Sequence, residues 1–309
     1  MSIDRLQERI NELQNPTVVG LDPALEHIPP QILERYIASH GETLEAAALA
    51  VSLWAVELID ALCDIVPAVK LQCAYYEALG PHGALALKMT IDYAKSKGMY
   101  VICDGKRNDI GSTAQAYSAA YLGTVKVGSV ELRPFDADAL TINAYLGMDS
   151  IKPFIEMAVK YDKAVFALVK TSNPSAGELQ DLQVIQGQGD QGTVYTAVGD
   201  MIERISAGTI GRYGYTCVGA VVGATYPEET EFLRKRLKHT FFLVPGYGAQ
   251  GGCASDAARA FDEKGHGAIV NSSRGIIAAW KKSGGDYAAA ARAEALRMRD
   301  ELRCAIYRK

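Results

Sequence analysis

The stretch YVICDGKRND, Tyr100 to Asp109, passes from four residues suited to a protein interior to four charges in six positions, Asp104, Lys106, Arg107 and Asp109. An apolar run closed so abruptly reads as a buried strand that delivers ionisable groups at its carboxyl end. Side chains two apart in a strand share a face, so Asp104 and Lys106 are expected on the same side. Seven other runs follow the pattern: TVVGLDP (17–23), AVKLQCAYYE (68–77), ALTINAYLG (139–147), AVFALVKTS (164–172), CVGAVVGAT (217–225), FFLVPGYG (241–248) and AIVNSSRG (268–275). Runs that are apolar on both faces suit parallel strands covered by helices.

Helix-like segments lie between them: 42–65, 83–98, 227–238 and 254–265, the last stopped by Gly265 after Lys264. Eight strand-then-helix alternations predict an α/β fold, a single (β/α)8 barrel rather than a doubly wound sheet. The amphipathic start MSIDRLQERINEL adds an N-terminal helical extension. No Pro/Ser-rich linker divides the chain, so residues 1–309 are read as one domain. The polar stretch 173–193 is a long insertion after the fifth strand, expected to be a lid or a disordered loop.

With 49% hydrophobic and 22% charged residues, the chain has the composition of a globular protein with a large core. A net charge of -4 offers no basic footprint for nucleic acid, whereas a small anionic metabolite remains compatible with it. The six scattered cysteines form no CxxC pair and have no histidine at ligand spacing, which argues for reduced thiols over disulfides or zinc. Neither a signal-peptide core nor about 18 uninterrupted apolar residues occurs, so a cytoplasmic protein without a membrane partner is expected.

VPGYGAQGG carries Gly246, Gly248 and Gly251 in the GxGxxG spacing of a dinucleotide site. It follows the seventh strand rather than the first, however, and position 271 is Asn where a ribose-binding acid would stand. In a barrel, the loops after strands seven and eight often offer backbone N–H groups to a phosphate. Here they supply GYGAQGG, with Gln250, and Ser272, Ser273, Arg274 and Gly275; the Arg274 fork matches phosphate oxygens. Asp22, Lys70, Asn143 and Lys170 to Ser172 add polar groups at the ends of strands one, two, four and five. A lone surface charge run would contribute only ~0–1 kcal/mol, but agreement across five strands points to a catalytic mouth.

DGKRNDIGSTAQAY resembles the DxKxxD segment of the orotidine 5'-phosphate decarboxylase family, in particular its longer bacterial form. The resemblance spans nearly the whole chain, through LDP at strand one, VKLQ at strand two, TINAYLG at strand four, KTSNPS at strand five, VPGYGAQGG at strand seven and NSSRG at strand eight. The central motif is shared with sugar-phosphate relatives on the same barrel, whereas KTSNPS, PGYGAQGG and NSSRG together are more selective. The resemblance implies decarboxylation of orotidine 5'-monophosphate to UMP and CO2, the last step of de novo pyrimidine nucleotide synthesis, with no metal and no cofactor.

It also implies roles for individual residues. Lys106 protonates C6 as the carboxylate departs, and Asp104 lies beside that carboxylate and holds Lys106. Lys70 and Asp109 complete an alternating array in which Asp109 comes from the other subunit of a homodimer. Asp22 binds ribose hydroxyls with Lys70 nearby, Ser172 the pyrimidine, and Gln250 and Arg274 the phosphate. Ile110, Asn143, Pro245, Gly251 and Ser273 are further substrate contacts. Three other readings stay open: a Mg²⁺-dependent sugar-phosphate decarboxylase or aldolase, a Schiff-base aldolase using Lys170 or Lys106, and a non-catalytic phosphate-binding barrel.

Overall fold

The computed structural model describes residues 1–186, 190–248 and 251–307. Eight parallel strands close into a barrel in chain order: β1 (Thr17–Leu21), β2 (Ala68–Gln72), β3 (Tyr100–Arg107), β4 (Ala139–Ile142), β5 (Ala164–Lys170), β6 (Val218–Val222), β7 (Phe242–Val244) and β8 (Ala268–Ser272), the last pairing with β1. All eight expected strands are present, each somewhat shorter than its apolar run, most of the trimmed residues lying at the carboxyl end, where the chain passes into a loop or, after β2 and β8, into a short helix.

Alternation along each strand divides the core in two. Val69 and Leu71 of β2, Val101 and Cys103 of β3, and Leu140 and Ile142 of β4 face the helical layer. Ala68, Tyr100, Ile102 and Ala139 point into the barrel with Phe166, Phe241 and Ile269. Ile3, Leu6 and Ile10 of the N-terminal helix α1 (Ser2–Leu13) join this inner cluster, so α1 plugs the amino end of the barrel. It is tied down at both ends. Asp4 accepts from the Tyr213 N–H at 3.1 Å and Arg5 donates to Asp138 at 3.2 Å, while Asn15 bridges Ile65 O at 2.5 Å and the Thr17 N–H at 3.0 Å. With one end sealed by apolar side chains, inward-facing polar groups collect at the other.

Three segments refine the expectations. The helix expected over 254–265 stops at Ala258. Beyond it, Asp262 Oδ1 accepts the N–H groups of Lys264 and His266, both at 2.8 Å, and a side chain that captures backbone donors in this way favours a turn over another helical turn. Residues 173–193 contain a 3-10 turn (Pro174–Ala176), a short helix (Gly177–Gln180) and two paired antiparallel strands, Gln183–Gln186 and Asp190–Thr193. A second hairpin pairs Val125–Val127 with Val130–Leu132 and was not anticipated. Among the described residues, no helix is long and apolar enough to cross a membrane.

Because Leu6 is fully buried at the barrel floor, far from the polar mouth, Leu6→Ala should cost about 2–5 kcal/mol of stability. Urea unfolding measures that loss, and the kcat of the folded fraction should stay close to wild type.

Candidate active site

At the carboxyl ends of the strands opens a cavity of about 630 Å³, a size suited to a small-molecule ligand. Asp22, Lys70, Asp104, Lys106, Ser172, Pro245, Ser273 and Arg274 all line it, above an apolar floor of Leu168, Val221 and Leu243. The strand-three ammonium and the strand-eight guanidinium therefore share one cavity. Gly20 on β1 leaves space for this wall, since a Cβ there would lie 1.9 Å from Ser273 Oγ.

The centre of the site is the Asp104 carboxylate. Its Oδ1 accepts from Lys106 Nζ at 2.7 Å and Thr141 Oγ1 at 2.8 Å, and its Oδ2 from Lys70 Nζ at 2.9 Å and Gln72 Nε2 at 3.1 Å. These four donors meet the roughly four lone-pair directions of a carboxylate. Burial, the largest influence on Asp104, would push its pKa up; the charges of Lys70 and then Lys106 outweigh it and hold the carboxyl well below the usual range. Burial likewise acts to lower the Lys70 pKa, but Asp104 and then Asp22, 3.6 Å away, raise it above the ordinary lysine value. Both groups are thus charged at neutral pH despite being almost completely buried.

Strand alternation alone does not put Lys106 in place. Between the pairs Cys103↔Leu140 and Arg107↔Ile142 the ladder shifts, so that Asp104, Gly105 and Lys106 stand opposite Thr141 alone. Lys106 takes a left-handed φ of 46°, and its N–H donates to Thr141 Oγ1 at 2.9 Å. Such a backbone costs on the order of 1 kcal/mol for a residue with a Cβ and is typical of functional sites. The bulge leaves the Lys106 side chain 45% exposed to the cavity while its Nζ stays on Asp104.

Other expected residues lie elsewhere in the single chain. Asp109 Oδ1 accepts the Ile110 N–H at 2.8 Å just ahead of the helix Gly111–Leu122, Ile110 is 58% exposed, and neither lines the cavity. Asn143 also stands outside the lining, its Oδ1 accepting the Tyr145 N–H at 3.0 Å. Gly251, at φ 98°, donates its N–H to Gly248 O and does not line the cavity. Gln250 lies outside the described residues.

Lys170, grouped with the mouth from its place at a strand end, is instead fully buried in an ion pair with Asp181, its ammonium 4.5 Å from the Tyr226 ring centre and 5.2 Å from that of Tyr195. Thr171 and Ser172 next to it do reach the cavity. Sequence reasoning missed Gln72, Thr141, Gln180 and Asn271, all of which line it. For three of them a signal existed. Gln72 is two residues beyond Lys70, Thr141 two beyond inward-facing Ala139, and Asn271 two beyond inward-facing Ile269.

Fold and site together define a (β/α)8 barrel whose chemistry sits at the carboxyl ends of its strands, the usual place for this architecture. The model of the orotidine 5'-phosphate decarboxylase / HUMPS family matches residues 33–291, and the chain belongs to that family. It is 44% identical over 294 residues to the orotidine 5'-phosphate decarboxylase of Rhodopirellula baltica, covering 93% of this chain and 94% of that one. Against the orotidine 5'-phosphate decarboxylase of Caldicellulosiruptor bescii the identity is 41% over 278 residues, 90% of each. The OMP decarboxylase structure from Leishmania donovani superposes with a TM-score of 0.72 at 30% identity, covering 98% of each chain.

Removing one partner of the buried cluster has a defined cost and pH signature. The folded pKa of Asp104 lies below its unfolded value, so its stabilisation is present above about pH 4 and is lost as pH falls through the depressed value. That of Lys70 lies above its unfolded value, so its share is present below about pH 10 and is lost only as pH rises through the elevated value. Lys70→Met should therefore destabilise by about 3 kcal/mol, the low end for a broken buried pair because Lys106, Thr141 and Gln72 still donate. Unfolding free energies measured across pH should show this deficit level from about pH 5 to 9 and shrinking in stronger acid.

Proposed function

We propose that this protein decarboxylates orotidine 5'-monophosphate to UMP and CO2, the last step of de novo pyrimidine nucleotide synthesis, without metal or cofactor. The observation that carries this reading is Lys106 Nζ, held 2.7 Å from Asp104 Oδ1 in the cavity that Arg274 also lines. The phosphate binds at the Arg274 end with Ser273 and Gln250, the ribose near Asp22 and Lys70, and the base against Ser172 and Pro245. The C6 carboxylate is then set beside Asp104 and Lys106. As the C6–carboxylate bond breaks, CO2 leaves and the electron pair stays on C6, where the Lys106 ammonium offsets the developing charge and delivers its proton. The resulting amine regains a proton from solvent.

Thr141 and Gln72 serve as supports, keeping the Asp104 oxygens aligned so that Lys106 can point at the carbon. Binding energy from the remote phosphate helps hold the carboxylate against a buried anion. The insertion 173–193 covers the cavity during turnover. The working unit is a cytoplasmic homodimer in which Asp109 reaches into the partner's site, with Ile110 and Asn143 as further substrate contacts; nucleic acid and membrane play no part.

Two rival chemistries fit the geometry less well. A magnesium-bound enediolate needs carboxylate lone pairs facing the metal, whereas those of Asp104 are engaged by four donors, two of them cationic. A Schiff base on Lys170 would require an amine in the cavity, and that side chain is buried against two tyrosine rings outside it, while one on Lys106, which does line the cavity, would give up the 2.7 Å ion pair of that ammonium with Asp104.

Purified protein pre-treated with EDTA should release CO2 from orotidine 5'-monophosphate at the untreated rate and ignore ketose phosphates; loss of activity on chelation that magnesium restores would remove the proposal. Lys106→Ala should keep its fold yet lose at least about 10³-fold in kcat. Arg274→Ala should act mainly on KM, raising it about 10- to 100-fold, as steady-state kinetics on the two variants will distinguish.

A further inference from the structure

We infer that Gln180 is a positioning residue that fixes the base-binding edge of the cavity, acting through Thr171 on Ser172. This rests on the reading above, in which Ser172 faces the pyrimidine. β5 ends at Lys170, whose carbonyl still accepts from the Gly223 N–H at 2.8 Å, so the Thr171 N–H is the first backbone donor beyond the barrel ladder. Gln180 takes it. Its Oε1 accepts the Thr171 N–H at 2.9 Å while its Nε2 donates to Thr171 Oγ1 at 2.7 Å.

The side-chain amide thus acts as a substitute peptide group, accepting and donating in one plane. Having accepted from Gln180, the Thr171 hydroxyl passes its own hydrogen on to Asn173 Oδ1 at 2.7 Å. Ser172 is held between two tethered neighbours. Behind it stands Gly223, where a Cβ would come within 2.8 Å of Ser172 Cβ, so the serine cannot retreat. The residue after Gln180, Asp181, pairs with the residue before Thr171, Lys170. Two consecutive residues of the insertion are therefore latched to Lys170, the last residue of β5, and to Thr171 just beyond it, and Gln180 itself lines the cavity. A carboxylate at position 180 could accept but not donate, and an aliphatic side chain could do neither.

Titration of the intact protein with UMP and, separately, with ribose 5-phosphate isolates the base-facing contact from the phosphate contact. Gln180→Leu should weaken UMP about 10-fold, the scale of the lost hydrogen bonds, and leave ribose 5-phosphate within roughly two-fold. Gln180→Glu, which keeps the acceptor for the Thr171 N–H, should fall between wild type and Leu, and it carries the test if the Leu variant does not fold. Parallel weakening of both ligands would mean a general slackening of the barrel and would overturn the inference, as would unchanged UMP affinity. Wild-type protein that binds UMP but does not decarboxylate orotidine 5'-monophosphate would instead sink the preceding functional reading and leave the latch standing.

Discussion

The constraint on which this site depends is the cost of keeping a carboxylate charged where water is scarce. An isolated ion moved into a protein interior loses several kcal/mol of hydration even after relaxation. Asp104 is tolerable at 8% exposure because four donors meet its two oxygens, and two of those donors carry the compensating charge. Once the carboxylate is fixed, its partners are fixed with it. Lys70 has no room to move, Lys106 is drawn over the cavity, and Thr141 is committed to both the carboxylate and the Lys106 backbone. The left-handed Lys106 backbone persists because this network over-determines it.

The barrel separates stability from chemistry along its axis. α1 fills the amino end with Ile3, Leu6 and Ile10, which join the apolar cluster inside the barrel. The carboxyl end is left to polar and charged groups that line the cavity and can act on a ligand. Under the proposed function, a phosphate-binding end remote from the reacting carbon would suit such a division, since affinity gained at one end of the ligand can be used against unfavourable contacts at the other.

The insertion after β5 is anchored at its start more firmly than its polar composition suggests. The buried Lys170 is met by Asp181 from the insertion and lies between two tyrosine rings, and Gln180 adds a two-point amide contact next door. Two neighbouring residues of the insertion are thereby held against the end of β5, next to the cavity wall.

All eight strands could be read directly from the chain, because strands buried on both faces leave runs of apolar residues that end where the mouth begins. The same periodicity marked Asp22, Lys70 and Asp104 as inward-facing, and would have marked Gln72, Thr141 and Asn271 had it been followed one step further along each strand. Local pattern could not place Lys106, whose position comes from a bulge that exists only because β4 offers Thr141 at that register. Nor could it show that Lys170, at the end of a strand like the others, turns to an aspartate eleven residues on. Sequence by itself determined which residues lie in strands and which face they take, since both follow from a spacing of two along one segment. Which charges meet, and which lysine is exposed to the cavity while the other two are buried, was decided by tertiary structure, because a charge inside a protein is placed by partners that other segments bring to it.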